Sequence, residues 1–351
     1  MEGKKIKVLI IDDSAIVRNM LIDILSSDER IAIIGTAGDP YIAASKIAHE
    51  LPDVITLDIE MPRMDGMTFL KKLMKQHPVP VVVISSLTGE RSDLAIRALQ
   101  LGASEVVNKP RLTDKLEIGE YKIRVCDAVL AASMQGTLKH QSANKVEILP
   151  DSVIGQVKRK SADQNKKIIA IGASTGGTEL ISKILKYLRT DLPPIVIVQH
   201  MPGDFTMSFS RRLNQESKII VKEAEHGDIL SPGHAYVANG FYHLVVKEKA
   251  NYYVCALEEG ELVSRHRPSV DVLFHSLAQN NAKNVMGVLL TGMGKDGAKG
   301  LLELKEKGAV CIAQDEKSSV VFGMPKEAIN INAAHFVGDP TQIINWINNF
   351  A

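Results

Sequence analysis

This chain of 351 residues has few cysteines, little net charge and only short apolar runs. Its three cysteines lie far apart and lack the spacing of metal or redox motifs, which fits reduced thiols: Cys126, Cys255 and Cys311. A formal net charge of +1 gives no broad electrostatic reason to expect nucleic acid, and the small basic cluster at 158–160 is typical of a solvated linker. We therefore expect no nucleic-acid partner.

No apolar run approaches the roughly 20 residues that are needed to span a bilayer. The N-terminal run Ile6–Ile11 is shorter than the core of a signal peptide, continues directly into Asp12 and Asp13, and has no small-residue cleavage site. The run predicts a strand, so we expect a cytoplasmic protein without direct membrane insertion.

The length accommodates two domains with full cores, and the apolar and charged fractions are those of an ordinary globular protein. Between residues 135 and 167 the periodic pattern gives way to a polar stretch rich in Lys, Gln, Ser and Asn, without aromatic residues. This composition is typical of a linker. We therefore predict one domain at 1–134, a linker at 135–167 and a second domain at 168–351.

Strand and helix patterns alternate five times in the first domain. The predicted strands are 7–11, 31–36, 54–57, 79–84 and 105–107, and a last helix is predicted near 114–134. This alternation indicates a parallel sheet that is covered on both faces. In such folds, functional groups gather outside the carboxyl ends of the strands.

The carboxyl ends of these strands carry polar residues. Asp12 and Asp13 follow the first strand, Asp58 the third, Ser85 the fourth and Lys109 the fifth. Three carboxylates at one edge repel each other unless a cation neutralises them, and an oxygen-only cluster suits Mg2+. Lysine and a serine hydroxyl supply a positive charge and a hydrogen-bond donor for a phosphoryl group. The set is typical of a phosphoacceptor site.

On these residues and their positions, the first domain resembles the receiver domain of two-component response regulators. The resemblance implies a flavodoxin-like fold with a parallel five-stranded sheet, and phosphorylation of Asp58. It also implies two sets of ligands: Asp12, Asp13, Asp58 and the backbone carbonyl of Glu60 around Mg2+, and Ser85 and Lys109 at the phosphoryl group.

The second domain is organised around a glycine-rich turn in 168–178, Ile-Ile-Ala-Ile-Gly-Ala-Ser-Thr-Gly-Gly-Thr. The apolar half predicts a short buried strand, and a helical pattern opens after Gly176 and Gly177. Glycines on both sides allow tight backbone angles and leave the Ser174 hydroxyl exposed at a helix N-terminus. That is a suitable position for a nucleophile.

Two other interpretations of this turn stay open on the motif alone. The spacing Gly172-x-Ser174-x-x-Gly177 is close to a dinucleotide-binding loop, but that loop has glycine at the middle position and an acidic residue at the end of the next strand. Here the middle residue is serine, and the next strand ends in Gln199 and His200. The turn also fits a plain glycine-rich connection with a solvated serine.

Three candidate catalytic residues each follow a different predicted strand. Ser174 follows the first, His200 follows the strand 195–198, and Asp296 lies in a second glycine-rich turn after the strand 285–290. If these strands are parallel, the three side chains converge on one edge of the sheet. A serine nucleophile needs an imidazole to accept its proton and a carboxylate to fix the imidazole tautomer, and the three residues supply these roles.

Backbone N–H groups at Thr175 and Met293 are candidates for binding the oxyanion of the reaction. Asp271 and Asp228 are rival carboxylates. Asp296 is preferred because a flexible turn at a strand end places it on the correct edge, whereas Asp271 lies within a helical pattern. Short alternating strands at 235–238, 243–247 and 252–257 predict an antiparallel hairpin on the edge of the sheet.

From residue 168 onward the chain resembles the effector domain of the chemotaxis protein-glutamate methylesterases. The resemblance rests on the motifs Gly-Ala-Ser-Thr-Gly-Gly, Gln-His-Met-Pro, Arg-His-Arg-Pro-Ser-Val-Asp and Thr-Gly-Met-Gly-Lys-Asp-Gly. It implies a doubly wound α/β domain without a cofactor, which hydrolyses γ-glutamyl methyl esters on chemoreceptor helices and deamidates particular receptor glutamines. The implied partners are methyl-accepting chemoreceptors as substrate and a chemotaxis histidine kinase as phosphodonor.

Fusion of a receiver to this domain predicts regulation, in which the unphosphorylated receiver covers the Ser174 edge and phosphorylation of Asp58 favours an open arrangement. The alternative is a receiver-controlled regulator without enzymatic activity, whose second domain binds a partner. For DNA as that partner, the sequence offers no helix-turn-helix pattern, basic face or aromatic platform.

Overall fold

The chain divides into two compact units, Met1–Ala143 and Asn144–Ala351, in a computed structural model. The structure describes residues 4–61, 64–86, 92–109, 115–139, 167–249, 252–280 and 282–350. Most of the predicted linker, 140–166, lies outside these described residues, so the predicted domain limits stay predictions. The last helix of the first unit continues to Lys139, beyond the limit at 134 that the sequence predicts.

The first unit is a five-stranded parallel sheet with the order β2-β1-β3-β4-β5, as the sequence predicts. Its central strands are buried along their length and show no alternation, because helices cover both faces. The strand order reverses between β1 and β3, which opens a crevice at their carboxyl ends. The strands are β1 Ile6–Ile11, β2 Ile31–Ala37, β3 Val54–Leu57, β4 Val81–Ser85 and β5 Glu105–Asn108; the helices are α1 Ala15–Ser26, α2 Pro40–His49, α3 Gly66–Gln76, α4 Ser92–Gln100 and α5 Lys115–Lys139.

Side-chain caps start several of these helices. Ser14, Asp39 and Asp65 each precede a helix and accept hydrogen bonds from backbone N–H groups of its first turn. These groups have no partner within the helix, so each cap satisfies donors that would otherwise be unpaired.

The second unit contains a seven-stranded sheet with the order β14-β13-β12-β6-β7-β9-β8, in which every described pair is parallel. The strand order reverses between β6 and β12, so the crevice of this unit lies at their carboxyl ends. Its elements are β6 Ile168–Ala173, α6 Gly177–Lys186, β7 Ile195–Gln199, α7 Gly203–Glu216, β8 Ile220–Glu223, β9 His234–Val237, β10 His243–Glu248, β11 Tyr253–Glu258, α8 Val270–Ala278, β12 Val285–Leu289, α9 Ala298–Glu306, β13 Val310–Gln314, α10 Met324–Asn330, β14 Phe336–Gly338 and α11 Pro340–Asn348.

The antiparallel hairpin is present, but its place differs from the prediction. Strands β10 and β11 pair with each other in a two-stranded sheet of their own and do not extend the edge of the main sheet. The outer edge of β10 is bonded to α8 instead: the Val246 N–H donates to Ser276 Oγ (3.1 Å), and the Asn280 side-chain amide donates to the Val246 carbonyl (2.9 Å). The backbone N–H and carbonyl of Val246 are therefore paired with helix side chains and not with the main sheet.

Candidate functional site

Ser174 lies on the tight turn between β6 and α6. Its N–H donates to the Thr291 carbonyl after β12 (3.0 Å), and its carbonyl accepts from Gly177 N–H (2.7 Å). Gly176 caps the helix with a φ of 80°, in the left-handed region that glycine adopts without strain. The serine is only 6 % exposed, so it lies inside the crevice and is not a solvated surface residue.

Gly292 lets the turn after β12 approach this serine closely. A Cβ at this position would lie 2.7 Å from Ser174 Cβ and 2.2 Å from Met324 Sδ, so any side chain here would force the two turns apart. The second glycine-rich motif therefore has a packing role beside Ser174 in addition to carrying Asp296.

Two side chains without a predicted role, Gln199 and Thr291, connect the strand ends by hydrogen bonds. The Gln199 amide nitrogen donates both to the Ser174 carbonyl (2.9 Å) and to the His200 carbonyl (3.1 Å). The Thr291 hydroxyl donates to the Thr175 carbonyl (3.0 Å). Both side chains are buried, so these bonds are protected from water and hold the backbone on either side of the nucleophile.

His200 and Asp296 are brought into direct contact. His200 Nε2 lies 2.8 Å from Asp296 Oδ2, and the two side chains are 5 % and 1 % exposed. The other ring nitrogen, Nδ1, is buried and has no hydrogen-bond partner among the described residues. Because the carboxylate accepts at Nε2, the proton sits on that nitrogen, which leaves the Nδ1 lone pair available as a base.

Ser174 and His200 are neighbours across adjacent strands. Strands β6 and β7 pair up to Ala173 and Gln199, and the His200 N–H donates to the Ala173 carbonyl (3.0 Å). Within the described part of the chain, no hydrogen bond joins Ser174 Oγ to His200. Such contacts are often long in the absence of substrate and tighten only in the reacting complex. The arrangement therefore places a buried, unpartnered base at the strand end next to the serine.

The N-terminus of α8 surrounds the Asp296 carboxylate with donors. Ser269 Oγ (2.7 Å) and Asp271 N–H (3.1 Å) donate to Oδ1, and Val270 N–H (2.7 Å) donates to Oδ2. Burial opposes ionisation, but the hydrogen bond from His200, together with these donors, lowers the pKa of Asp296 to about 2. The carboxylate is therefore ionised at neutral pH. Ser269 lies in the motif Arg-His-Arg-Pro-Ser-Val-Asp, but no sequence pattern predicts this role for it.

The rival carboxylates have other partners. Asp271 Oδ1 accepts from Gly300 N–H (2.8 Å), and Asp228 accepts from Lys222 Nζ (2.8 Å) and from Glu225 N–H (2.8 Å). Neither is hydrogen-bonded to His200 in the described chain, whereas Asp296 is. The geometry favours Asp296 for the role of orienting carboxylate.

Asp271 makes the stability of the fold depend on pH. Burial and the neighbouring Asp296 carboxylate raise the pKa of Asp271 to about 6. An acid whose pKa is raised on folding stabilises the fold below its unfolded pKa, near 3.8, and this stabilisation is lost as the pH rises through about 6. Asp271→Asn keeps an acceptor for Gly300 N–H and removes the charge. We expect it to raise the free energy of unfolding at pH 7.5 by about 1–3 kcal/mol and to change it little near pH 4.

Urea unfolding at both pH values measures this effect, followed by the fluorescence of Trp346 in α11, the single tryptophan of the chain. An equal change in stability at the two pH values would contradict the assignment, because only a titrating carboxyl makes the effect depend on pH.

Thr175 and Met293 are the two residues predicted to bind the oxyanion. Thr175 directly follows the nucleophile, and Met293 lies in the second glycine-rich turn. Thr175 is buried, and its carbonyl is held by Thr291. Met293 is half-buried, and its N–H donates no hydrogen bond to any described residue. Their role as oxyanion donors stays a prediction.

The first unit gathers its predicted phosphoacceptor residues at the β1/β3 crevice. One ligand oxygen from each of Asp12, Asp13 and Asp58 lies within 4.8 Å of the others. Lys109 Nζ lies 2.7 Å from both Asp12 Oδ2 and Asp58 Oδ2, while Ser85 is fully buried at the end of β4. The Glu60 N–H donates to Asp58 Oδ1 (3.2 Å), and the carbonyl of Glu60 as a metal ligand stays a prediction.

Electrostatics in this crevice fit a divalent cation. Burial raises the pKa of Asp58, against the opposing effect of Lys109. Burial also lowers the affinity of Lys109 for its proton, but Asp12 and Asp58 outweigh it and raise the pKa of the lysine. Three carboxylates exceed the single positive charge of Lys109, and their oxygens are the ligands that Mg2+ prefers. The residues therefore fit the ion.

Among the helices of the described residues, none has the length and apolar composition to cross a membrane.

Comparisons with known proteins match each unit of the chain to a protein family. Residues 169–347 match the CheB methylesterase family, and residues 8–118 match the response regulator receiver domain. A protein-glutamate methylesterase/protein-glutamine glutaminase of Geobacter metallireducens is 50 % identical over 94 % of this chain and 95 % of its own length. One from Rhodopseudomonas palustris is 48 % identical over 99 % of this chain and 97 % of its own length.

Among solved structures, the CheB methylesterase catalytic domain of Thermotoga maritima is similar to the second unit. It is 39 % identical, has a TM-score of 0.52, and the match covers 53 % of this chain and 98 % of that domain.

Proposed function

The chain belongs to the CheB methylesterase family, and we propose that it hydrolyses γ-glutamyl methyl esters on the cytoplasmic helices of methyl-accepting chemoreceptors. The observation that carries the proposal is the buried pair of His200 and Asp296, 2.8 Å apart, whose unpartnered nitrogen lies at the strand end beside Ser174. This arrangement suits acyl transfer through a serine nucleophile.

In the proposed reaction, Ser174 Oγ attacks the ester carbonyl while His200 Nδ1 takes its proton. Asp296 holds the Nε2 proton and stabilises the imidazolium that forms. The N–H groups of Thr175 and Met293 bind the oxyanion. His200 then protonates the departing methoxide, which leaves as methanol, and the same histidine activates the water that hydrolyses the acyl-enzyme.

The same machinery supports a second reaction. A glutamine amide has the same kind of carbonyl as the ester, and His200 would protonate the amide nitrogen, which leaves as ammonia in place of methanol. The relatives from Geobacter metallireducens and Rhodopseudomonas palustris are both named glutaminases as well as methylesterases. We therefore include deamidation of receptor glutamines in the proposal.

The receiver unit is proposed to control this activity through Asp58, with a chemotaxis histidine kinase as phosphodonor. Asp12, Asp13 and Asp58, with the Glu60 carbonyl, would hold Mg2+, which when bound neutralises charge on the phosphoryl oxygens. Lys109 and Ser85 would bind those oxygens directly. The charged groups of Asp58 and Lys109 are already in contact, so a phosphoryl group on Asp58 must rearrange this pair.

A regulator without enzymatic activity has no support from the relatives compared above, because both carry methylesterase names over nearly the whole chain. Since the proposed substrate segments face the cytoplasm, we propose that the protein acts there.

The direct test of the proposal is methanol release from methylated chemoreceptor membranes, with and without a small phosphodonor such as acetyl phosphate. We expect release from the protein alone and a larger rate with phosphodonor and Mg2+. Absence of methanol release under both conditions would contradict the proposed esterase activity.

Phosphorylation is tested separately by Asp58→Asn. The amide keeps an acceptor for Glu60 N–H but cannot form an acyl phosphate, so we expect no incorporation of labelled phosphate and no rise in methanol release with phosphodonor. Asp53→Asn is the matched control, because Asp53 precedes the other end of β3 and accepts from Lys7 N–H (2.8 Å). The parent and Asp53→Asn are expected to incorporate labelled phosphate. Equal incorporation by Asp58→Asn would show that Asp58 is not the phosphorylated residue.

A further inference from the structure

A second histidine lies flat against the candidate catalytic histidine. The rings of His266 and His200 have centroids 3.7 Å apart and an interplanar angle of 14°. The contact is a stack of one imidazole face on the other, and it occupies a different part of His200 from the Asp296 hydrogen bond, which lies at Nε2.

A strained turn presents His266 to this position. Val263 and His266 form a pair of backbone hydrogen bonds with each other (3.1 and 2.9 Å), which closes a four-residue turn. The two central residues, Ser264 and Arg265, have φ values of 53° and 69°. Glycine, asparagine and aspartate are the usual residues of such left-handed turns, so serine and arginine are held here against their preference. Strain of this kind persists only where the surrounding structure imposes it, and it is common at functional sites.

The surrounding segment is fixed at several points. We call residues 260–269 the His266 loop. Arg267 Nη1 donates to the Gly260 carbonyl (2.6 Å), and His243 Nε2 lies 2.9 Å from the Glu261 carbonyl. His243 Nδ1 accepts from Ser269 N–H (3.2 Å), so one buried histidine of β10 holds both ends of the loop. The hairpin that lies apart from the main sheet therefore supports the loop.

The His266 loop continues directly into the donors of Asp296. Ser269 Oγ and Val270 N–H hold the carboxylate, and the carboxylate holds His200 Nε2. One continuous segment thus contacts the catalytic pair twice, at the carboxylate through its end and at the imidazole face through His266.

The hydrogen bond to Asp296 fixes a single nitrogen of His200, and the ring can still turn about that contact. The opposite nitrogen, Nδ1, has no partner among the described residues that would prevent such rotation. A stacked planar ring removes this freedom because rotation of either ring would bring the two into collision at 3.7 Å.

We propose that His266 is a positioning residue, which holds the imidazole plane of His200 so that Nδ1 faces Ser174 Oγ. This inference rests on the proposed function of Ser174, His200 and Asp296. The His266 loop would then act on the reaction through the orientation of His200, and His266 would not touch the reacting atoms.

The test uses the full chain with His266→Ala, His266→Phe and His266→Leu. Phenylalanine keeps a planar ring against His200, whereas leucine has a similar volume without a plane. We expect kcat for methanol release to fall about 10- to 100-fold in the alanine and leucine variants with KM within about twofold of the parent. The phenylalanine variant is expected to retain kcat within about threefold. Thermal unfolding of each variant checks the fold.

A second readout is the rate at which a fluorophosphonate probe labels Ser174, which requires an activated serine but no receptor. We expect this rate to fall in parallel with kcat in the alanine and leucine variants and to be preserved in the phenylalanine variant. If the parent released no methanol, the proposed function would fail while the labelling series still tested His266.

Parent-like kcat and labelling in His266→Leu would overturn the inference, and so would a phenylalanine variant as slow as the leucine variant. Should His266→Ala fail to fold, the comparison of phenylalanine with leucine decides the matter alone.

Discussion

Replacing Ser174 with alanine is expected to lower methanol release by about a millionfold, close to the rate without enzyme. The hydroxyl is the only group lost, and without it no acyl-enzyme forms even though His200 and Asp296 remain paired. The backbone contacts of Ser174, its N–H to Thr291 and its carbonyl to Gly177 and Gln199, do not involve the side chain. We therefore expect a thermal unfolding curve like that of the parent.

The matched control is Ser210→Ala. Ser210 is buried on α7 and its hydroxyl donates to the Met207 carbonyl (2.8 Å), so this variant loses a buried serine hydroxyl outside the crevice. It is expected to keep methanol release within a few-fold of the parent. Retention of more than about a tenth of the parent rate by Ser174→Ala would remove serine from the mechanism and return the turn to a structural connection.

Asp296→Asn is expected to lower kcat by about ten-thousandfold. The carboxylate accepts four hydrogen bonds, from His200, Ser269, Val270 and Asp271, and an amide must turn its NH2 group towards donors on one side. If the amide nitrogen faces His200, it donates to Nε2, the proton moves to Nδ1, and the base that Ser174 requires is lost. If it faces the other way, the Ser269 and Asp271 donors oppose it, with a cost of about 1–3 kcal/mol in stability.

The control for this variant is Asp271→Asn, which lies in the first turn of α8. It removes a carboxylate beside Asp296 without touching the His200 hydrogen bond, and we expect its kcat to stay within about tenfold of the parent. Measurement of kcat and KM for both variants separates the two carboxylates. Equal losses would show that disturbance of α8, and not the loss of the Asp296 charge, limits the reaction.

Much of this architecture follows from patterns in the sequence. The strand at 54–57 coincides with β3, and the other strands predicted for the first domain begin or end within two residues of the observed ones. Long buried runs between amphipathic helices have few alternatives to a parallel sheet. Strand ends then determine which residues meet, and this is why His200 and Asp296 are found in contact as the motif spacing predicts.

Other features depend on contacts that sequence patterns do not encode. Strands β8 and β14 have only four and three residues and lie at the edges of the sheet, so neither carries a clear period. The separate place of the hairpin depends on Ser276 and Asn280 of α8 reaching the backbone of β10. His266 lies 66 residues beyond His200 in sequence, and the stack depends on a turn whose left-handed residues are serine and arginine. No local sequence pattern predicts the contact of α8 with β10 or the stack of His266 on His200.

The order of strands also has a bearing on the synthesis of the protein. Strand β6 begins the second unit yet pairs on one side with β12, which starts 112 residues after β6 ends (285 − 173 = 112). At about 5–20 residues per second, a ribosome needs roughly 6–22 seconds to produce that stretch. By the end of this interval Ser174 and His200 have been synthesised but Asp296 has not, and until then one edge of β6 is unpaired. A nascent or prematurely terminated chain is therefore expected to be inactive and to depend on chaperones that shield the open edge.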